Sequence, residues 1–179
     1  VKQYALLTSS GADRVGIADA ISTVIFEHGC NIEESKMAVL GGEFAMIILV
    51  SGQQSEVKQL LVDLPGFARE AELELSVKET AEPRPNKEGR AYRIDTTSLD
   101  TPGIVHAVTD LLKTFGVSVD ELETESTGAP FTGAPMFHMT IRAIVPTGVG
   151  IRDLRDALDA VARERDLDVN ISPILPAPS

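Results

Sequence analysis

Apolar positions along the chain fall into two successive stretches with the same rhythm. Tyr4 to Thr8 reads as a strand, and Val15 to His28 as a helix whose Val15, Ile21, Val24, Ile25 and His28 share one face, stopped by Gly29. Ile32 to Leu40 and Phe44 to Val50 read as strands joined at Gly41-Gly42, where positive φ is easy. Ser55 to Leu64 predicts a second helix with Ser55 as its cap and Pro65-Gly66 near its end. Leu73, Leu75 and Val77 then alternate with Glu72, Glu74 and Lys78 as a closing strand. After a Pro-bearing, charged linker over 81–89 the rhythm restarts. Tyr92 to Thr97 is a strand, and Ile104, Val105, Val108, Leu111, Leu112 and Phe115 form a helix stripe ended by Gly116. Val117 to Thr124 and Met136 to Val145 are strands, Ile151 to Arg165 a helix and Leu167 to Ile171 the last strand.

The two stretches stay in step from Asp13/Asp100 through Gly29/Gly116, which marks an internal repeat, with units over 1–80 and 90–179. Two β-α-β units per half cannot make consecutive strands parallel neighbours without a crossover. The economical solution is a four-stranded antiparallel sheet with both helices on one face: an α+β, ferredoxin-like βαββαβ fold, twice in tandem. The sheets should differ. In the second half Phe137, Met139 and Ile141 oppose His138, Thr140 and Arg142, whereas in the first Phe44, Met46 and Ile48 oppose the equally apolar Ala45, Ile47 and Leu49, with Leu7 beside them. One face of such a sheet is normally wet, so the first unit's back face is expected to be covered by a second copy or a protein partner.

The candidate chemistry sits where each first strand meets its helix, at Asp13-Arg14-Val15-Gly16-Ile17 and Asp100-Thr101-Pro102-Gly103-Ile104. In both, an acidic side chain precedes a glycine expected inside the first helical turn. There the backbone N–H groups lack intrahelical partners, the macrodipole adds positive charge, and the missing Cβ lets a ligand approach. Thr101 is a plausible N-cap and Pro102 fits the first helical position. Such a site suits a zwitterion: amides for a carboxylate, Asp13 and Asp100 for an ammonium. The plain alternative is that Asp13 and Asp100 cap their helices and the glycines permit close packing.

Composition narrows the classes. With 43% hydrophobic residues in 179, the chain supports packed cores, and a net charge of -11 without Lys/Arg clusters argues against direct nucleic-acid binding. The single cysteine, Cys30, cannot make an internal disulfide and fits a reducing cytoplasm. The longest apolar run, Phe44 to Val50, is far short of the ~20 residues of a membrane helix. The first residues show no charged start followed by an apolar stretch, and the chain opens at Val1, as if a few residues were missing.

The Asp-Arg-Val-Gly-Ile and Asp-Thr-Pro-Gly-Ile starts, the Gly29-Cys30-Asn31-Ile32 and Gly116-Val117-Ser118-Val119 junctions and the order of elements resemble ACT domains. Two in tandem, with the Gly128 to Phe137 insertion, resemble the glycine cleavage repressor family. The resemblance implies a non-enzymatic regulator without cofactor, binding an amino acid such as glycine in the seam between paired units. The partner would be a transcriptional activator of glycine cleavage genes or, alternatively, a metabolic enzyme. It also implies that Asn31 contacts ligand, with Ser118 in its place in the second half. The expected site combines Asp13, Gly16, Ile17 and Asn31 with the opposing unit.

Other constellations have plain readings. His28, His106 and His138 lie on separate elements without metal-ligand spacing, and no nucleophile-elbow serine or phosphate loop is present. Glu121, Glu123 and Glu125 share one strand face, more simply a solvated face than a cation site. The doubled Gly-Ala-Pro around Phe131 either displays that ring to a partner or packs it on its own core.

Overall fold

A computed structural model describes residues 1–83, 88–99, 101–129 and 132–175. The chain divides into two compact units, Val1–Arg84 and Pro85–Ser179. The first contains β1 (Lys2–Ala12), α1 (Ile17–Glu27), β2 (Asn31–Leu40), β3 (Glu43–Gln53), α2 (Gln54–Glu70) and β4 (Glu74–Thr80). The second contains β5 (Arg90–Leu99), α3 (Ile104–Thr114), β6 (Ser118–Gly128), β7 (Pro135–Val145), α4 (Ile151–Arg165) and β8 (Leu167–Pro173). The sheets run β2-β3-β1-β4 and β6-β7-β5-β8, every pairing antiparallel, which is the expected ferredoxin-like topology in both units.

Each core lies between the sheet and its two helices. In the first unit Leu7, Phe44, Ile48 and Val50 meet Ile21 and Ile25 of α1 and Val57, Leu60 and Leu64 of α2. In the second, Ile94, Met139, Ile141 and Ala143 meet Val108 and Leu112 of α3 and Leu154 and Leu158 of α4. Leu7 pairs with Ile48 and is 2% exposed, so it belongs to the core face and not beside the outer residues of β3. On the outer face of the first sheet Ala45 is exposed, Ile47 is 41% exposed and Leu49 is half-buried, so no element of that unit covers it.

Several local expectations are corrected. Val15 lies outside α1, fully exposed, and His28 is the C-cap of that helix. Ser55 is inside α2: the N-cap is Gln53, whose N–H donates to the Glu56 carboxylate at 2.6 Å, closing a capping box. Nor does α2 stop at Pro65-Gly66; Pro65 is inside a helix that continues to Glu70, because Leu64 and Ala68 bury against the sheet on either side of it. The Gly41-Gly42 turn is as expected, with φ of 60° and 85°. β2 and β6 each carry a register shift near their starts, between Ile32 and Glu34 and between Val119 and Glu121, so the repeat extends to a matched bulge. Part of the linker (84–87), Asp100, Pro130 and Phe131 lie outside the described residues.

Candidate ligand-binding site

The two strand-to-helix loops share a backbone device that differs from the sequence expectation. Gly16 and Gly103 are not inside the first turn; they are the N-caps, at φ 94° and 92°, and the helices begin at Ile17 and Ile104. Thr101 and Pro102 therefore precede the cap, Pro102 in a turn, and are neither N-cap nor first helical residue. Gly16 C=O accepts from Ala20 N–H and Gly103 C=O from Ala107 N–H, both at 2.9 Å, so each helical ladder starts at the glycine. Neither N-cap carries a side-chain cap hydrogen bond. Among the described residues a Cβ on Gly16 would meet nothing within 4 Å, and one on Gly103 only Arg165 Nη1 at 3.8 Å. The left-handed conformation, and not crowding, calls for glycine here.

The first loop is moored within its own unit. Asp13 N–H donates to Gly42 C=O at 2.9 Å, tying it to the β2–β3 turn. The Arg14 guanidinium donates to Ala71 C=O and lies 3.5 Å from the Glu72 carboxylate, so its charge holds the loop to the end of α2. Ile17 and Ile104 are buried, 4% and 3% exposed, and anchor the helix starts in the cores. In the second loop the nearby guanidinium comes from Arg165, the last residue of α4. Sequence reasoning missed it because nothing local to that loop announces it.

Asn31 is elsewhere. It opens β2 opposite Ser51, which in turn opposes Tyr4 near the start of β1, whereas Asp13 and Gly16 follow the end of β1. At about 3.3 Å per residue that separation is about 25 Å, so within one unit the sheet holds Asn31 and the Gly16 loop at opposite ends. Asn31 Nδ2 reaches Glu33 Oε1 at 3.5 Å; the same carboxylate accepts from Lys2 Nζ at 2.8 Å and from Ser51 Oγ. Hydrogen bonds from Lys2 and then Ser51 hold the Glu33 carboxyl down at about 2. Ser118 opposes Ile144, so the second unit has no hydroxyl across from it. Beside Asn31, a groove of about 380 Å3 between α1 and β2 is lined by Ser22, Thr23, Phe26, Cys30 and Ile32. Burial, then the nearby Glu56, pushes the Cys30 thiol up in pKa, away from the reactive thiolate.

The remaining candidates resolve into structural pairs. His28 Nδ1 lies 2.7 Å from Val24 C=O and Nε2 3.0 Å from Asp63 Oδ2, linking α1 to α2. Both partners are acceptors, so the protonated ring fits; the Asp63 hydrogen bond, then that of Val24, raises its pKa. His138 Nδ1 meets Thr97 Oγ1 at 3.2 Å. Glu121, Glu123 and Glu125 oppose Arg142, Thr140 and His138 in register, and no group of three or more acidic, His or Cys residues among the described residues is placed to hold a metal. No described helix is long and apolar enough to cross a membrane.

Residues 3–78 match the ACT domain family model. Across 96% of this chain and 90% of that protein, the sequence is 29% identical to the glycine cleavage system transcriptional repressor of Escherichia coli (strain K12). The solved structure of an unknown protein from Galdieria sulphuraria superposes with a TM-score of 0.80 at 32% identity, covering 98% of this chain and all of that one. A second, provisionally assigned as a glycine cleavage system transcriptional repressor, superposes at 0.75 and 24% identity over 97% of this chain and 98% of that one, and shows the shared fold. A matching family model over the first unit, the same topology and helix starts in the second, and a full-length likeness lead to one conclusion: the chain is a tandem ACT domain protein that resembles the glycine cleavage system transcriptional repressor.

Proposed function

We propose that this regulatory ACT protein senses a small amino acid, with glycine the first candidate, and passes its occupancy to a protein partner. The observation that carries the reading is the matched pair of helix starts at Gly16 and Gly103, each a left-handed glycine N-cap with no Cβ to stand in the way of a ligand. Asp13 and Asp100 are the acceptors for the ammonium, and the amides after Gly16 and Gly103 are the donors. Arg14, Val15, Ile17, Thr101 and Ile104 shape the two loops. One sheet keeps Asn31 about 25 Å from the Gly16 loop, so Asn31 does not join the Gly16 loop of its own unit in one site. Ligand binding favours one conformation of the protein, and a partner that prefers that conformation reads the occupancy by linkage. In keeping with the full-length likeness, the partner is an activator of glycine cleavage genes.

Titration calorimetry of the full chain against a panel of amino acids tests the sensor. Saturable heat with at least one amino acid, lost in Asp13→Ala, is the expected result; no heat from any of them removes the assignment. Co-purification then decides between a transcriptional activator and a metabolic enzyme.

A further inference from the structure

The loop leading into α4 has no counterpart in the first unit. There β3 ends at Gln53 and α2 starts at Gln54. The corner is filled: a Cβ on Gly52 would stand 3.0 Å from Cys30 Sγ and 3.2 Å from Glu56 Oε2. In the second unit residues 146–150 separate β7 from α4. Asp153, in the first turn of α4, turns its shorter side chain onto Gly150, with Oδ2 2.7 Å from where a Cβ would stand. What remains is a cavity of about 260 Å3, lined by Arg90, Tyr92 and Thr147 and floored by Val145, Val149 and Ile151.

The lining combines two chemistries. Arg90 is exposed and its guanidinium has no ion-pair or hydrogen-bond partner among the described residues, although the chain is strongly acidic overall. Arg90 and Tyr92 stand on alternate positions of β5, opposite Val145 and Ala143 in register, so both share the face of the sheet that the helices cover. A Cβ on Gly89 would fall 2.5 Å from Val145 C=O, so the main chain just before Arg90 runs hard against β7 and fixes where the arginine leaves the strand. An unspent guanidinium next to a phenol and a hydroxyl matches a carboxylate, which it can grip through two parallel N–H donors. The Val149 and Ile151 side matches hydrocarbon. The volume is below the range of drug-sized pockets, so the guest is small.

We propose that this cavity is a second binding site, confined to the second unit, for a small organic carboxylate whose acid group meets Arg90 and whose aliphatic body lies on Val149 and Ile151. The site does not involve the Gly16 or Gly103 loops and stands independently of the amino-acid site proposed above.

Titration of the isotopically labelled full chain with butyrate, followed by amide chemical shifts, tests it, with butanol as the uncharged probe. Butyrate should produce saturable shifts at Arg90 and residues 147–151. Butanol, or butyrate against Arg90→Gln, should bind at least about tenfold more weakly, the loss expected for a charge-assisted pair. Tyr92→Phe should weaken butyrate by about threefold, within the range of a neutral hydrogen bond, and Asp13→Ala should leave it unchanged. Shifts that do not saturate, an equal response to butanol, undiminished affinity in Arg90→Gln, or loss of butyrate binding in Asp13→Ala would each overturn the proposal.

Discussion

The outer faces of the two sheets show how differently one fold can be finished. In the second unit Arg93 Nε donates to both oxygens of Asp95 at 2.8 and 3.0 Å, Thr140 Oγ1 donates to Asp95 Oδ1 at 3.0 Å, and His138 and Thr97 form a further pair. The corresponding face of the first unit carries Leu6 opposite Leu49, Thr8 opposite Ile47, and Ala38 opposite Ala45. The inner faces do not diverge in this way: both are aliphatic and both are sealed by two helices. Topology is thus specified by the helix-covered side, which leaves the other side free to become ion-paired in one unit and, in the next, to carry an aliphatic β3 row flanked by Glu34, Lys36 and Lys78.

Substituting matched residues on the two inner faces should give the largest effects. Ile48 and Ile141, 1% and 0% exposed, occupy equivalent places on β3 and β7. Ile48→Ala and Ile141→Ala should each cost about 2–5 kcal/mol in denaturant unfolding, from lost burial plus the cavity left behind. A cost confined to one of the two would break the claim that the inner faces are equivalent. Gly16→Ala and Gly103→Ala come next. The left-handed cap should cost roughly 1–2 kcal/mol in either unit, and because the added methyl meets little, the loss measures backbone strain and not overpacking. Equal thermal shifts for the two variants would sharpen the equivalence of the loops, and a null effect in one would end it.

The smallest effect concerns a contact that only the first unit has been given. His28 has a raised pKa in the folded chain, so its contribution to stability is complete below the unfolded value of about 6.5 and is lost as pH rises through the folded value. Wild type should therefore lose a few degrees of Tm relative to Asp63→Asn between mild acid and mild alkali, and an imidazole titration by NMR should place the His28 midpoint above the usual one. Parallel pH profiles of wild type and Asp63→Asn would show that the His28–Asp63 pair contributes nothing measurable.

How much was legible in the sequence follows from the range of the forces involved. The Gly41-Gly42 turn, the buried stripe Ile104, Val108 and Leu112, and the bounds of α4 follow from periodicity and turn chemistry alone. Pro102 misled because proline at the first helical position is a sound general rule, but here the following glycine turns left-handed and takes over as the cap. Pro65 misled for the opposite reason: packing of Leu64 and Ala68 outweighs the local preference to stop. The separation of Asn31 from the Gly16 loop comes from strand direction, which no motif records. The His28–Asp63 and Gly103–Arg165 approaches join residues far apart in sequence, and only the assembled helices bring them together.

The matched bulges at the starts of β2 and β6 carry a last consequence. Each of these strands forms one border of its sheet, and a border with an unbroken beat of donors and acceptors invites any stray extended peptide to zip along it. One skipped beat near the start, repeated in both units, puts an intruder out of phase before it gains a long grip, a safeguard against runaway fibre growth written into the backbone itself.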